Sequence, residues 1–352
     1  ITSAKGVRQL GGERNAEYVA GTSVPVHIQI SLPRFWLFPY IIVKERLVSH
    51  RGEQHTFETT FVPDWRLRGE VRYMTPPLRR GVYHFEDTLC TTEDIFGLFQ
   101  HHGTLSMRDP FCVYPQTVAI REWAHYHYLT KGMHHHSAVT YAARETTQFN
   151  GVRDYVYGDR MSRIHWNATA RTGTWKSKEF EKETLPKSIV ILDCERAAYP
   201  DSESFELAVS VAASLFKYGF VNELTLGLLY AGSAPQVVPP ARGETHYKKV
   251  LDHLIRVEAE GALPLDALLQ KREDVVSEGH FFIIISPRSG DMVTKVVRFL
   301  HSRQMNACQI RILSGIPAEK REEMLKLTNR HDIRTYPVAN LTDLPLVLGG
   351  RS

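Results

Sequence analysis

The side chains best suited to chemistry crowd into residues 152–181, where arginines, carboxylates, tyrosines and tryptophans alternate. Arg153, Asp154, Tyr155 and Asp159 come first, then Arg163, His165 and Trp166, then Arg171, Trp175, Lys178 and Glu179. Guanidinium forks match carboxylates and phosphates, so this block can dock an anion or an acidic loop of a partner. Signs alternate so closely that a mutual charge network is the favoured reading, with Arg153, Arg163 and Arg171 paired to Asp154, Asp159, Asp193 or Glu179. An acid–base reading uses Asp159, His165 and Asp193, provided that they lie within one-water reach of each other. Trp166 and Trp175 with basic neighbours can stack on bases, but tryptophans between strands and helices are expected in the core.

Other chemistry finds less support. His125 and His127 would share a face of a strand and His134-His135-His136 follows a Lys-Gly pair, yet histidines in such a run are expected to be solvated. No nucleophile elbow, zinc-protease helix, phosphate loop or dinucleotide fingerprint occurs. Cys194 follows a strand directly, but Asp193 and Glu195 beside it oppose a thiolate, so a core or loop cysteine is expected.

The chain that must position these groups has 352 residues, natural for two domains, with 43% hydrophobic and 23% charged residues. A net charge of +4 is too slight to imply nucleic-acid binding. Four scattered cysteines, with no CxxC pair, argue against a disulfide framework or cysteine zinc site and fit a reducing compartment. No run reaches the roughly 18 consecutive apolar residues of a bilayer span. The first residue is Ile1, and any membrane anchor is expected before it.

Residues 1–120 read as an antiparallel β-sandwich, with short runs at 18–20, 24–30, 41–47, 54–62, 69–74, 81–88, 103–108 and 111–114. Asp94 to Phe99 reads as a tight turn anchored by its aromatic residues. From 187 to 352 the rhythm changes: apolar strands at 188–192, 225–230, 280–285, 309–313 and 333–338 alternate with helical periods at 205–218 and 246–257. Asp291 would N-cap a further helix, and Pro317 opens another over 318–328. That alternation predicts a doubly wound, mainly parallel sheet covered on both faces, so the fold class is α+β multidomain. Residues 121–186 connect the two parts. Within them Asp159 would N-cap a helix over 160–171, with Ile164 and Ala168 on one face and Gly173 as its left-handed end.

The block Val152-Arg153-Asp154-Tyr155-Val156-Tyr157-Gly158-Asp159, Arg163-Ile164-His165-Trp166, Ala170-Arg171 and Lys178-Glu179-Phe180-Glu181 resembles the signature of the domain of unknown function 58 family, the YeaD-like bacterial proteins. Arg79-Arg80-Gly81-Val82-Tyr83, Asp94-Ile95-Phe96-Gly97-Leu98 and Val113-Tyr114-Pro115 extend the resemblance upstream, with Ile95 where a proline is usual. It implies membrane-spanning helices ahead of a β-sandwich and a von Willebrand factor A-like domain, with the soluble region facing the cytoplasm. It also implies association with MoxR-type AAA+ ATPases and transglutaminase-like membrane proteins, and supplies no reaction.

On that footing the expected function is a non-enzymatic, membrane-anchored scaffold or adaptor, whose binding surface uses Arg153, Tyr155, Asp159, Arg163, Trp166 and Arg171. The alternative is an enzyme acting on phosphorylated or envelope-derived substrates through Asp159, His165 and Asp193. A-type domains often hold a divalent cation with D-x-S-x-S after the first strand. Here the segment reads Asp193-Cys194-Glu195-Arg196-Ala197, lacking both serines, and Arg196 adds opposing charge. Asp201, Ser202 and Ser204 would compensate only if the loop folds back, so no cofactor is expected.

Overall fold

A computed structural model describes residues 4–11, 17–33, 39–94, 96, 98–123, 126, 149–156, 161, 164–180, 187–232, 234–272, 280–303, 305–315 and 333–349. The chain divides into two compact units: residues 1–117, 209–214 and 245–258 form the first, and residues 118–208, 215–244 and 259–352 the second.

Among the described residues of 1–117 there are ten strands: β1 (Lys5–Leu10), β2 (Tyr18–Val19), β3 (Pro25–Ser31), β4 (Ile41–Ser49), β5 (Gln54–Phe61), β6 (Arg68–Met74), β7 (Gly81–Phe85), β8 (Thr88–Glu93), β9 (Gln100–Leu105) and β10 (Phe111–Tyr114). One sheet has the order β1-β3-β6, antiparallel throughout. The other runs β2-β10-β7-β4-β8-β9, with β5 along β4; its pairs are antiparallel except β2 with β10. Side chains of a strand alternate between faces, and β4 buries Ile41, Val43, Glu45, Leu47 and Ser49 in turn. Val26, Ile28 and Ile30 of β3 join Ile41, Val43 and Leu47 of β4 and Tyr83 and Phe85 of β7 in one core.

The run expected as one strand over 81–88 is two. β7 pairs with the end of β4 and β8 with its beginning, while Glu86 N–H, between them, donates to the Arg46 carbonyl at 2.9 Å. The turn after β8 is closed by Asp94, whose carboxylate accepts from Phe99 N–H at 2.9 Å. Its aromatic residues do not anchor it: Phe96 and Phe99 are exposed.

β1 escapes the apolar pattern because its buried inward position is Arg8. That guanidinium donates to Glu45 of β4, to Thr88 Oγ1 at 2.9 Å and to the Met107 carbonyl, and lies 4.0 Å from the Phe85 ring centre. Glu45 also accepts from Thr88 Oγ1 at 2.7 Å and from the Tyr73 hydroxyl. Each buried charge therefore has an opposite charge and neutral donors or acceptors, the condition for keeping ions out of water. The pair also links the two sheets.

The second unit begins with β11 (Phe149–Asp154), α1 (Trp166–Thr172) and β12 (Lys176–Phe180), the strands forming an antiparallel hairpin around the helix. Then follow β13 (Ser188–Leu192), α2 (Ser202–Val221), β14 (Leu226–Ala231), β15 (Pro235–Ala241), α3 (Glu244–Arg256), α4 (Leu265–Lys271), β16 (Phe281–Ser286), α5 (Asp291–Ser302), β17 (Asn306–Ile312), β18 (Arg334–Val338) and α6 (Leu344–Leu348), of which most of α3 and the middle of α2 are counted with the first unit. The sheet order is β15-β14-β13-β16-β17-β18, parallel except for β15. β13, β14 and β16 are buried at every position, as strands covered on both faces must be. Leu265, Leu268 and Leu269 of α4 and Val293, Val296, Val297 and Leu300 of α5 pack with Ile189, Ile191, Phe282 and Ile284 of the sheet. Trp123, also buried, meets the rings of Tyr126, Tyr218 and Tyr336.

β15 was hidden from the sequence pattern by Pro235, Pro239 and Pro240, which suit an edge strand. The helix expected over 318–328 lies outside the described residues. Gly290, at φ 78°, rather than Asp291, caps α5. α2 is long and apolar enough to cross a membrane by length and composition, although its apolar stretch is broken by polar residues and 72% buried. In the first unit, buried Arg80 donates from Nη1 to the Leu254 and Ile255 carbonyls, a cation at the negative end of α3.

Replacing Arg8 with Met is expected to cost about 3–5 kcal/mol in denaturant unfolding, because Glu45 is left charged and buried. The double replacement Arg8→Met, Glu45→Leu should cost less than Arg8→Met alone.

Candidate functional site

Two places in the second unit gather polar side chains, and each is built by local rules. The first is the β11–β12 hairpin with α1. A seven-residue helix is marginal alone, and α1 is fastened at both ends. His165 Nδ1 accepts from Ala168 N–H at 3.1 Å. Gly173, at φ 68°, closes the helix by donating to the Thr169 carbonyl at 2.9 Å. Lys176 N–H donates to Thr169 Oγ1 at 3.0 Å and His165 N–H to the Lys176 carbonyl at 2.8 Å, which staples the helix to β12.

The helical end at Gly173 is therefore as expected, and the beginning is not. Ile164 forms a β-bridge with Ser177 and is buried outside the helix, and the cap is His165 rather than Asp159. Asp159 and Arg163 lie outside the described residues, as do His125, His127 and His134 to His136.

This stapling sets Trp166, first in α1, beside Trp175, just before β12. Their ring centres are 6.2 Å apart, and Tyr155 lies 5.8 Å from Trp175, within the range of favourable aromatic pairs. The expectation of core tryptophans is overturned: Trp166 is 62% exposed and Trp175 49%. Val156 and Met161 add exposed apolar surface. Of the expected charge network, Asp159, Arg163 and the side chain of Glu179 lie outside the described residues. Asp154 pairs with Lys176 at 2.5 Å, and Arg153 donates to the Asp154 backbone carbonyl at 3.0 Å. Arg171 is exposed in the last turn of α1.

The second place is the carboxyl end of β13. The strand has no exposed residue, so Asp193, next in the chain, enters a site almost shut off from water. Its Oδ1 accepts from Glu195 N–H at 3.1 Å and its Oδ2 from Ser286 Oγ at 2.7 Å. Arg288 Nε stands 3.7 Å from Oδ2, and Arg288 Nη2 lies 2.7 Å from Glu195 Oε2. Gln309 Nε2 donates to the Arg288 carbonyl at 2.8 Å, and the Tyr199 hydroxyl donates to the Asp193 carbonyl at 2.7 Å. Burial raises the Asp193 pKa against the opposing pull of Ser286, Glu195 N–H and Arg288. A Cβ on Gly261 would lie 2.3 Å from the Ala231 carbonyl oxygen and 2.9 Å from that of Cys194, so only glycine admits the bridge between Glu195 and residue 261.

Among the described residues the cation facing Asp193 is Arg288, which sequence reasoning missed; Arg171 and Arg196 are exposed. Ser286 and Gln309 were missed with it; the signal was a polar Ser-Pro-Arg ending an otherwise apolar strand. Asp201 and Ser204 do not fold back to supply oxygens. Asp201 Oδ1 accepts from Ser204 N–H and Ser204 Oγ, both at 2.7 Å, as the N-cap of α2. A guanidinium this close to the carboxylate, with Glu195 and Ala197 at the positions of the missing serines, does not suit a hard cation that needs six or more oxygen ligands. Cys194 is buried.

Residues 151–333, more than half of the chain, match the family described as "Protein of unknown function DUF58". The chain belongs to this family. The DUF58 match begins in β11 and takes in both places described above, while the ten strands of the first unit precede it. "Uncharacterized protein YeaD" of Bacillus subtilis (strain 168) is 23% identical over 249 residues, covering 70% of this chain and 60% of the relative. This chain thus spans less than two thirds of that relative's length. Two solved structures were also compared. Northeast Structural Genomics Consortium target SoR45 has 8% identity and a TM-score of 0.22 over 32% of this chain and 85% of that one. A conjugative transposon lipoprotein from Bacteroides eggerthii DSM 20697 has 10% identity and a TM-score of 0.18 over 31% and 95%. Neither likeness is close enough to bear on the fold.

Its two bonds from Ser204 hold the Asp201 carboxyl below the usual range. A depressed carboxyl contributes stability that is present above its ordinary pKa, about 3.9, and lost as pH falls through the lower folded value. Asp201→Ala is therefore expected to lower stability by about 1 kcal/mol at pH 7. In thermal melts the gap between wild type and variant should narrow below about pH 4.

Proposed function

We propose that this DUF58 chain is a non-enzymatic binding module, a membrane-anchored scaffold or adaptor that docks a protein partner through the Tyr155, Trp166 and Trp175 surface. One observation carries the reading: two tryptophans within the family-matched segment stand largely in water while a short helix is stapled to keep them adjacent. Covering each half-exposed indole removes on the order of 100 Å² from water, worth about 2–3 kcal/mol. Such aromatic residues dominate interface energetics where they can be buried at the centre of a contact. Exposed Arg171 and partly exposed Arg153, Lys176 and Lys178 surround them, with Asp154 the facing acid. That balance favours an acidic partner segment. Arg163 and Asp159, expected from the sequence to belong to the same surface, lie outside the described residues.

A MoxR-type AAA+ ATPase is the partner proposed, with a transglutaminase-like membrane protein as the second choice, both from the family resemblance. The anchor is proposed to precede Ile1, with the soluble region facing the cytoplasm. For the sheet, the order β15-β14-β13-β16-β17-β18 supports a doubly wound, von Willebrand factor A-like reading, since β13 lies inside the sheet and the order reverses beside it. The acid–base alternative gains no comparable support: His165 Nδ1 is committed to capping α1, and Asp193 to Ser286 and Arg288.

Titration calorimetry with the purified MoxR-type ATPase of the same organism tests the proposal. Trp166→Ala and Trp175→Ala should each weaken binding at least tenfold, about 1.4 kcal/mol, without lowering the thermal midpoint. Wild-type binding that neither substitution changes would refute it.

A further inference from the structure

We infer that Arg288 is the resident cation of the crevice between β13 and β16, filling with a guanidinium the place where a divalent ion would otherwise balance Asp193. In an open α/β sheet the crevice beyond the carboxyl ends of the strands, where the strand order reverses, is the usual place for a ligand. β13 and β16 are neighbours at that position; Asp193 directly follows the one and Ser286 ends the other. A carboxylate so deeply buried needs positive charge close by.

Three strands cooperate to deliver it. Arg288 N–H donates to Ser286 Oγ at 3.1 Å, which in turn donates to Asp193 Oδ2 at 2.7 Å, so one hydroxyl orders both the acid and the loop bearing the base. Gln309 of β17 holds the same loop through the Arg288 carbonyl. The guanidinium then spans two acids, with Nε 3.7 Å from Asp193 Oδ2 and Nη2 2.7 Å from Glu195 Oε2. The loop after β16 is thereby tied to the loop after β13. The guanidinium thus occupies the space between the two carboxylates that an added cation would need. Once the guanidinium is gone, Asp193, Glu195 and Ser286 form an oxygen-lined pocket with a charge of −2.

The experiment is Mn²⁺ binding by the full chain, followed through the electron paramagnetic resonance signal of the free ion. Wild type should show no saturable binding. Arg288→Ser should bind one Mn²⁺ with a Kd on the order of 10⁻⁴–10⁻³ M, the weak range for a site with few protein oxygens. The double substitution Arg288→Ser, Asp193→Asn should lose that binding, and Arg288→Lys, which keeps a positive charge there, should show none. Should Arg288→Ser be unfolded at rest, Mn²⁺ must restore its far-ultraviolet circular dichroism, since an ion bound only by the native state stabilises it. Saturable wild-type binding abolished by Asp193→Asn overturns the inference. So does a folded Arg288→Ser that takes up no Mn²⁺, or an unfolded one that Mn²⁺ does not rescue.

Discussion

A charge taken out of water must meet its opposite, and both units of this chain are arranged around that demand. In the first, the demand falls on Glu45, and Arg8 answers it from the opposite sheet. In the second it falls on Asp193, and Arg288 answers it from the neighbouring strand's loop. Each pair joins parts of the chain that the apolar core alone would leave free to slide, because dispersion and hydrophobic contact are not directional. Ion pairs buried this way add little net stability and much specificity of arrangement, and each is completed by hydroxyl groups, Thr88 and Tyr73 in one case and Ser286 in the other.

The signature segment follows the opposite logic. There the ionic groups are peripheral, and the costly exposure is of apolar rings. Backbone hydrogen bonds and two caps hold α1 against β12, so Trp166 and Trp175 meet without a surrounding core. Folding alone does not require two indoles in solvent, and it is their exposure that sets this segment apart from the enclosed Asp193 cluster.

The architecture was legible where hydrophobic period alone decides it. Ser188 to Leu192 emerged as a strand to the residue, and β14, β16 and β17 with modest shifts at their ends, because continuous apolar runs leave few alternatives. Reading failed where a polar residue sits at an inward position, as Arg8 does in β1, or where prolines interrupt an edge, as in β15. At the sites, residue types were visible and partners were not. Asp193 was recognised as an acid following a strand, where a first metal ligand would stand, but Arg288 lies 95 positions away and only the parallel pairing of β13 with β16 brings it near. Trp166 and Trp175 were assigned to the core because large rings at the junctions of strands and helices are usually covered, and composition cannot show that nothing packs over these two.

The prolines at the margins of the large sheet have an implication for assembly. β15 carries three and β18, at the far margin, carries Pro337; each such residue lacks the amide proton that a strand from another molecule would need to zip alongside. Growth of the sheet by annexing a foreign strand is thus hindered on both flanks. Crowding many copies on one surface should therefore not by itself fuse their large sheets into a continuous ribbon.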